Sequence, residues 1–156
     1  AGRRRHGISV DAVPDDLATL SDLILLDVAD SLPQDLDSAL DIMRPSTRLS
    51  ANERIAVGWE LFGLGWRPED VEFELSFYRE GEGFFGRIGR WLGLRDREES
   101  LRIGWDESGP FEVGPWFRSV EVTLPGVDPG QYVFRLEVAT RGRDPLVRSR
   151  VVEIRP

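Results

Sequence analysis

The stretch GEGFFGRIGRWLGLR, residues 81–95, holds the residues whose spacing most resembles a chemical motif. Gly81, Gly83 and Gly86 spell G-x-G-x-x-G, the turn that lets a backbone approach a pyrophosphate at a helix N-terminus. Asp106 even follows at a tempting distance for a ribose. That chemistry needs a first strand buried on both faces and a helix after the glycines. The strand before them, VEFELSFY, alternates instead, with Glu72, Glu74 and Ser76 on its water face. Gly89 and Gly93 would each cost a following helix about 1 kcal/mol relative to alanine. The fingerprint is therefore read as coincidence, and no cofactor is expected.

Other chemistry fares no better. A Ser-His-Asp arrangement needs a positioned imidazole, and the single histidine, His6, sits in the basic opening AGRRRHG. Each visible Glu lies on the water side of a strand or in a turn, where a solvated face is the default reading. Asp27, Asp30, Asp35, Asp37 and Asp41 lack the EF-hand ligand spacing and its central Gly. They read better as acids that start and solvate a short helix. The chain has no cysteine, so disulfides, thiolate catalysis and Cys-ligated zinc are excluded. No catalytic or metal-binding residue is assigned, and the chain is read as a non-enzyme.

Composition sets wider limits. A chain of 156 residues with 40% hydrophobic and 31% charged residues fits one soluble globular domain. The formal charge of −8 argues against nucleic acid as a partner, because phosphate binding needs clustered cations. All 20 cations are Arg, and Asn52 is the only Asn, a bias that fits a GC-rich genome better than a chemical demand. No window approaches the roughly 20 apolar residues needed to span a bilayer. No secretory signal opens the chain. With Ala1 where an initiator Met would stand, a piece of a longer protein is expected.

The elements that must position any site are strands. Apolar residues fall at every second position in RIAVGWELFGL (Ile55, Val57, Trp59, Leu61), VEFELSFY (Val71, Phe73, Leu75, Phe77) and SLRIGWD (Leu101, Ile103, Trp105). WFRSVEVTL (Val120, Val122, Leu124) and QYVFRLEVAT (Tyr132, Phe134, Leu136, Val138) repeat the pattern. In the last strand the phase slips between Val147 with Val151 and Val152 with Ile154, which predicts a β-bulge near Val151. Earlier strands are expected at HGISVDA and DLILLD. A short helix is expected in QDLDSALDIM with Leu36, Leu40 and Met43 at helical spacing, and RPSTRLSANER reads as a loop or short edge strand. GWRPED, DESGP and LPGVDPGQ are turns.

Alternation with short links predicts an all-β, two-sheet antiparallel immunoglobulin-like sandwich of about eight strands with one or two short helices. It forms a single domain over 1–156, with 1–7 as an arm and 81–99 as an aromatic and Arg-rich insertion. LPGVDPGQYVFRLEV is the most specific piece. Tyr132 follows a Pro/Gly corner at the start of a strand, as in the tyrosine corner of such sandwiches. Trp59, between Val57 and Leu61, is expected as the large central core residue.

The segments LSDLILLD, MRPSTRLSANERIAVGWELFGL, FELSFYRE and VTLPGVDPGQYVFRLEVATR resemble, in that order, the C-terminal β-sandwich regions of bacterial extracytoplasmic proteins, including some that carry a GWxTD domain. The likeness spans roughly residues 20–155. The GWxTD motif itself is absent, since GWDE at Gly104 and GWEL at Gly58 do not match it, and no catalytic residue carries over. The resemblance implies a non-catalytic structural or interaction module of a larger envelope protein, in the periplasm or at the cell surface.

Contact residues are then sought in the insertion. On a helical wheel Phe84, Phe85, Ile88, Trp91 and Leu92 share one arc, with Arg87 and Arg90 on the other side. These seven are the candidate contacts for a protein partner or another domain of the parent chain. The competing reading is that the insertion folds back over an open end or edge of the sandwich. Lipid contact alone is disfavoured by the short, glycine-weakened segment and the acidic domain. The alternative function is carbohydrate binding through Trp66, Trp91 and Trp116 if their rings lie exposed in a flat row.

Overall fold

The computed structural model describes residues 17–80 and 99–156. Within them the chain forms nine strands and one short helix. In chain order these are β1 (Thr19–Leu20), β2 (Ile24–Leu26), α1 (Leu36–Leu40), β3 (Arg48–Ser50), β4 (Arg54–Phe62), β5 (Asp70–Arg79), β6 (Glu99–Ser108), β7 (Trp116–Thr123), β8 (Gly130–Thr140) and β9 (Leu146–Arg155). The expected strand at HGISVDA lies outside the described residues, and RPSTRLSANER supplies the short edge strand β3.

Two sheets result. In the smaller one β4 is central, with β7 along one side and β1 and β2 in succession along the other. The larger runs β3-β9-β8-β5-β6. β4 lies in the smaller sheet, β5 and β6 form a hairpin in the larger, β7 returns to the smaller and β8 to the larger, the Greek-key path of an immunoglobulin-like sandwich. One pairing departs from the antiparallel expectation: β3 lies parallel to β9, with Leu49 opposite Ile154. The chain comes back to β3 only after building the rest of the fold. No tight turn joins the two strands to force them antiparallel.

The core follows from the alternation. Ile55, Val57, Trp59 and Leu61 of β4 face Val71, Phe73, Leu75 and Phe77 of β5 across the sandwich, all buried. Trp59 is 1% exposed, with its ring 5.7 Å from Phe73 and 6.0 Å from Trp105. β4 is also buried on its second face. Ala56 lies in a small cluster with Leu26, Ala39 and Phe117, against which Ile24, Leu32, Leu36 and Ile42 pack. Small residues at Ala56 and Gly58 make room for this cover: a Cβ at Gly58 would stand 2.9 Å from the Phe117 ring.

The helix differs from expectation in its buried face. Asp35 caps it, accepting from the Ser38 amide at 2.8 Å. Leu40 and Met43 are exposed, while Ala39 is buried with Leu36 beside it. A helix of five residues is too short for a full apolar stripe to decide its orientation.

No bulge forms near Val151. The β8–β9 register runs unbroken from Val138 opposite Leu146 to Gly130 opposite Ile154. The inward positions of β9 include Arg148 and Arg150, opposite the core residues Leu136 and Phe134. Arg150 donates to the Leu23 carbonyl at 2.7 Å. The Arg150 stem thus lies in an apolar row at the rim and sends its charge to a partner outside it, while Arg148 is exposed and Val147 and Val151 face outward. The register shift that does occur lies in β5, between Phe77 and Tyr78 opposite β6.

Candidate functional site

Three links leave the same end of the sandwich: 63–69 between β4 and β5, 109–115 between β6 and β7, and 141–145 between β8 and β9. Glycine fixes how they meet. Gly63 has φ +75° and Gly65 has φ +90°, a region that side chains strain to enter. A Cβ at Gly63 would stand 2.3 Å from the Leu17 carbonyl oxygen, and one at Gly65 would stand 2.3 Å from that of Glu112. The first link thus carries the chain entering β1 against one glycine and the second link against the other. The Gly109 amide also donates to the Glu69 carbonyl at 2.8 Å, which ties the first two links by backbone.

The third link is tied by charge. Arg143 lies 3.4 Å from Glu69 Oε1 through Nη2 and donates to the Gly63 carbonyl at 3.3 Å through Nη1. The Glu69 side chain is 5% exposed. Its other oxygen, Oε2, is buried without a hydrogen-bond partner among the described residues.

This braced end presents apolar side chains to water. Phe111 is 89% exposed, Trp66 57%, Leu17 54% and Val113 47%. Single exposed apolar residues are ordinary on a soluble domain. Four of them on segments in backbone contact at one end are the feature that marks interaction surfaces.

The other residues singled out from the sequence fall elsewhere. Tyr132 is buried at the opposite end, where its hydroxyl donates to the Asp128 carbonyl at 2.9 Å. Its ring stacks on Phe77 at 4.9 Å and 7°. Phe84, Phe85, Arg87, Ile88, Arg90, Trp91 and Leu92 lie outside the described residues, as do Gly81, Gly83 and Gly86. The strand ends that flank them, Arg79 and Glu99, belong to the Tyr132 end.

Of the tryptophans weighed as a sugar platform, Trp66 is exposed and Trp116 is half-buried. Trp105 lies 14° from the plane of Phe73 and Trp116 lies 54° from it, so those two indoles do not share a plane. Arg118 sits 5.4 Å over Trp116 and pairs with Glu107, which also accepts from Trp105 Nε1 at 2.8 Å. Trp105, Trp116, Glu107 and Arg118 thus close the side of the sandwich between β6 and β7.

Among the described residues three carboxylates are perturbed, and none lies on the three links. Burial, helped by the charge of Asp37, raises the Glu60 carboxyl above its ordinary range. Burial also pushes Glu53 upward, but the Ser50 amide and the hydrogen bond and charge of Arg44 together outweigh it and hold Glu53 low. Hydrogen bonds from Ser38 lower Asp35. Among the described residues, no three His, Asp or Glu side chains gather as a metal site.

Sequence reading singled out Trp66 but missed Phe111, Val113 and Leu17. The available clue was DESGPFEVGP, which puts Phe111 and Val113 between Gly and Pro with no strand to hide them. The turn expected at DESGP ends just before them.

Fold and site together define an all-β immunoglobulin-like sandwich with an apolar, loop-borne end. No family model matches the chain, and no curated protein matches it. No helix among the described residues is long and apolar enough to cross a membrane.

Proposed function

We propose that this chain is a non-catalytic protein-interaction module of a larger bacterial envelope protein, with the loop end as its principal contact face. The observation that carries the reading is the set of exposed side chains Trp66, Phe111 and Val113 on the links and Leu17 on the chain entering β1, segments braced by glycine contacts and a largely buried ion pair. Rigid aromatic side chains held before binding lose little entropy when a partner covers them. The envelope setting rests on the resemblance of residues 20–155 to β-sandwich regions of extracytoplasmic proteins. The partner is another domain of the parent chain or a separate protein. Phe84, Phe85, Arg87, Ile88, Arg90, Trp91 and Leu92 are proposed as a second contact.

A photo-crosslinking amino acid at position 111, compared with one at exposed Val151 on the large sheet, tests this. Crosslinks to one defined protein from 111 and none from 151 support the reading; equal yields from both positions contradict it. Carbohydrate binding is the second reading, favoured by the exposure of Trp66. A saturable change in tryptophan fluorescence with a polysaccharide, lost in Trp66→Ala, would support that reading over a protein partner.

A further inference from the structure

The Glu69–Arg143 pair joins all three links at one residue. The Glu69 backbone carbonyl holds Gly109, two residues before Phe111. Its side chain holds Arg143, which also grips Gly63. Trp66 lies three residues before Glu69 on the same link. A single carboxylate thus stands between the two exposed aromatic side chains and the third loop.

The energetics make a purely stabilising role a poor account of the pair. A carboxylate with so little of its side chain exposed gives up hydration, and an apolar pair of similar volume often serves stability as well or better. Among the described residues Oε2 has no hydrogen bond to offset that loss. What an ion pair adds over an apolar contact is direction: it is satisfied in few arrangements of the loops.

We propose that Glu69 and Arg143 are positioning residues that lock the three links into one arrangement and so fix Trp66 and Phe111 relative to each other. This rests on the loop end being the contact face, but its test needs no partner. The full chain is labelled with 5-fluorotryptophan, and the Trp66 resonance is assigned by Trp66→Phe. Glu69→Gln keeps the side-chain volume and removes the charge. The Trp66 fluorine signal then moves and broadens, while those of Trp59 and Trp105 stay in place. Arg143→Met gives the same change, and Arg143→Lys restores the signal part-way. Since Arg143 is nearer the surface than Glu69, its variants report even if Glu69→Gln fails to fold.

A Trp66 signal unmoved in Arg143→Met, with only the urea midpoint lowered, overturns the proposal, because it leaves the pair as a structural contact alone. The crosslinking at position 111 is read separately. A moved Trp66 signal without crosslinks keeps the positioning role and sinks the interaction reading, and the converse pair of results does the opposite.

Discussion

The two ends of the sandwich use aromatic residues in opposite ways. At the corner end Tyr132 is 3% exposed, stacked on Phe77 and bonded through its hydroxyl to Asp128. At the loop end Phe111 is 89% exposed. Backbone strain is also placed differently. The corner end uses Asn52, at φ +62°, in the turn between β3 and β4, and Asn tolerates that region. The loop end uses glycines whose missing side chains admit another segment of backbone. The corner end closes the core, and the loop end braces a surface. Contacts that hide apolar area serve stability; the contacts at the loop end leave apolar area in water, which is the basis of the interaction role proposed for it.

Substitutions can sharpen or break this contrast. Trp59→Ala, in the shared core, should cost about 3–5 kcal/mol in urea unfolding; a cost below 1 would mean that the core is not centred there. Gly63→Ala should cost about 2 kcal/mol or more, from the left-handed backbone and the overlap with Leu17. That loss should accompany a disturbed loop end. Tyr132→Phe removes one hydrogen bond and no apolar area, so about 1 kcal/mol is expected. Trp66→Ala with Phe111→Ala should change stability by no more than about 0.5 kcal/mol. A larger loss would show that the loop aromatics are part of the core.

The smallest effect concerns Glu60. Its folded-state pKa is raised, so the ionised form opposes folding at neutral pH. The penalty is full above the raised pKa, shrinks as pH falls through it, and is gone below the unfolded value. Glu60→Gln should therefore be slightly more stable than the parent at pH 7, with the gap closing in acid, as thermal melts across that range would show. Glu53 carries the opposite sign, contributing stability above the unfolded carboxylate range that is lost as pH falls through its lowered pKa.

The fold was legible where burial has one simple period. Alternation in β4, β5, β6 and β8 marked the inner face, and Pro/Gly spacing marked the Tyr132 corner. It failed where a long charged side chain takes a position in the inward row, as the part-buried Arg150 does in β9. It failed again where a strand is covered twice. The second buried face of β4 is written in Ala56 and Gly58, residues too small to register as apolar signal. The parallel β3–β9 pair has no local signature, because it joins residues over a hundred positions apart. The loop end was the least legible, since Glu69 and Arg143 meet only through folding and Phe111 looks like any residue of a turn.

The most direct test of the account pairs stability with affinity for the Trp66→Ala, Phe111→Ala variant of the full chain. Its urea midpoint and its titration with the protein crosslinked from position 111 are measured side by side with the parent. The account predicts an unchanged midpoint and an affinity at least about tenfold weaker, the loss of roughly 1.4 kcal/mol of binding. Unchanged affinity, or a loss of binding that merely tracks a lowered midpoint, would contradict it.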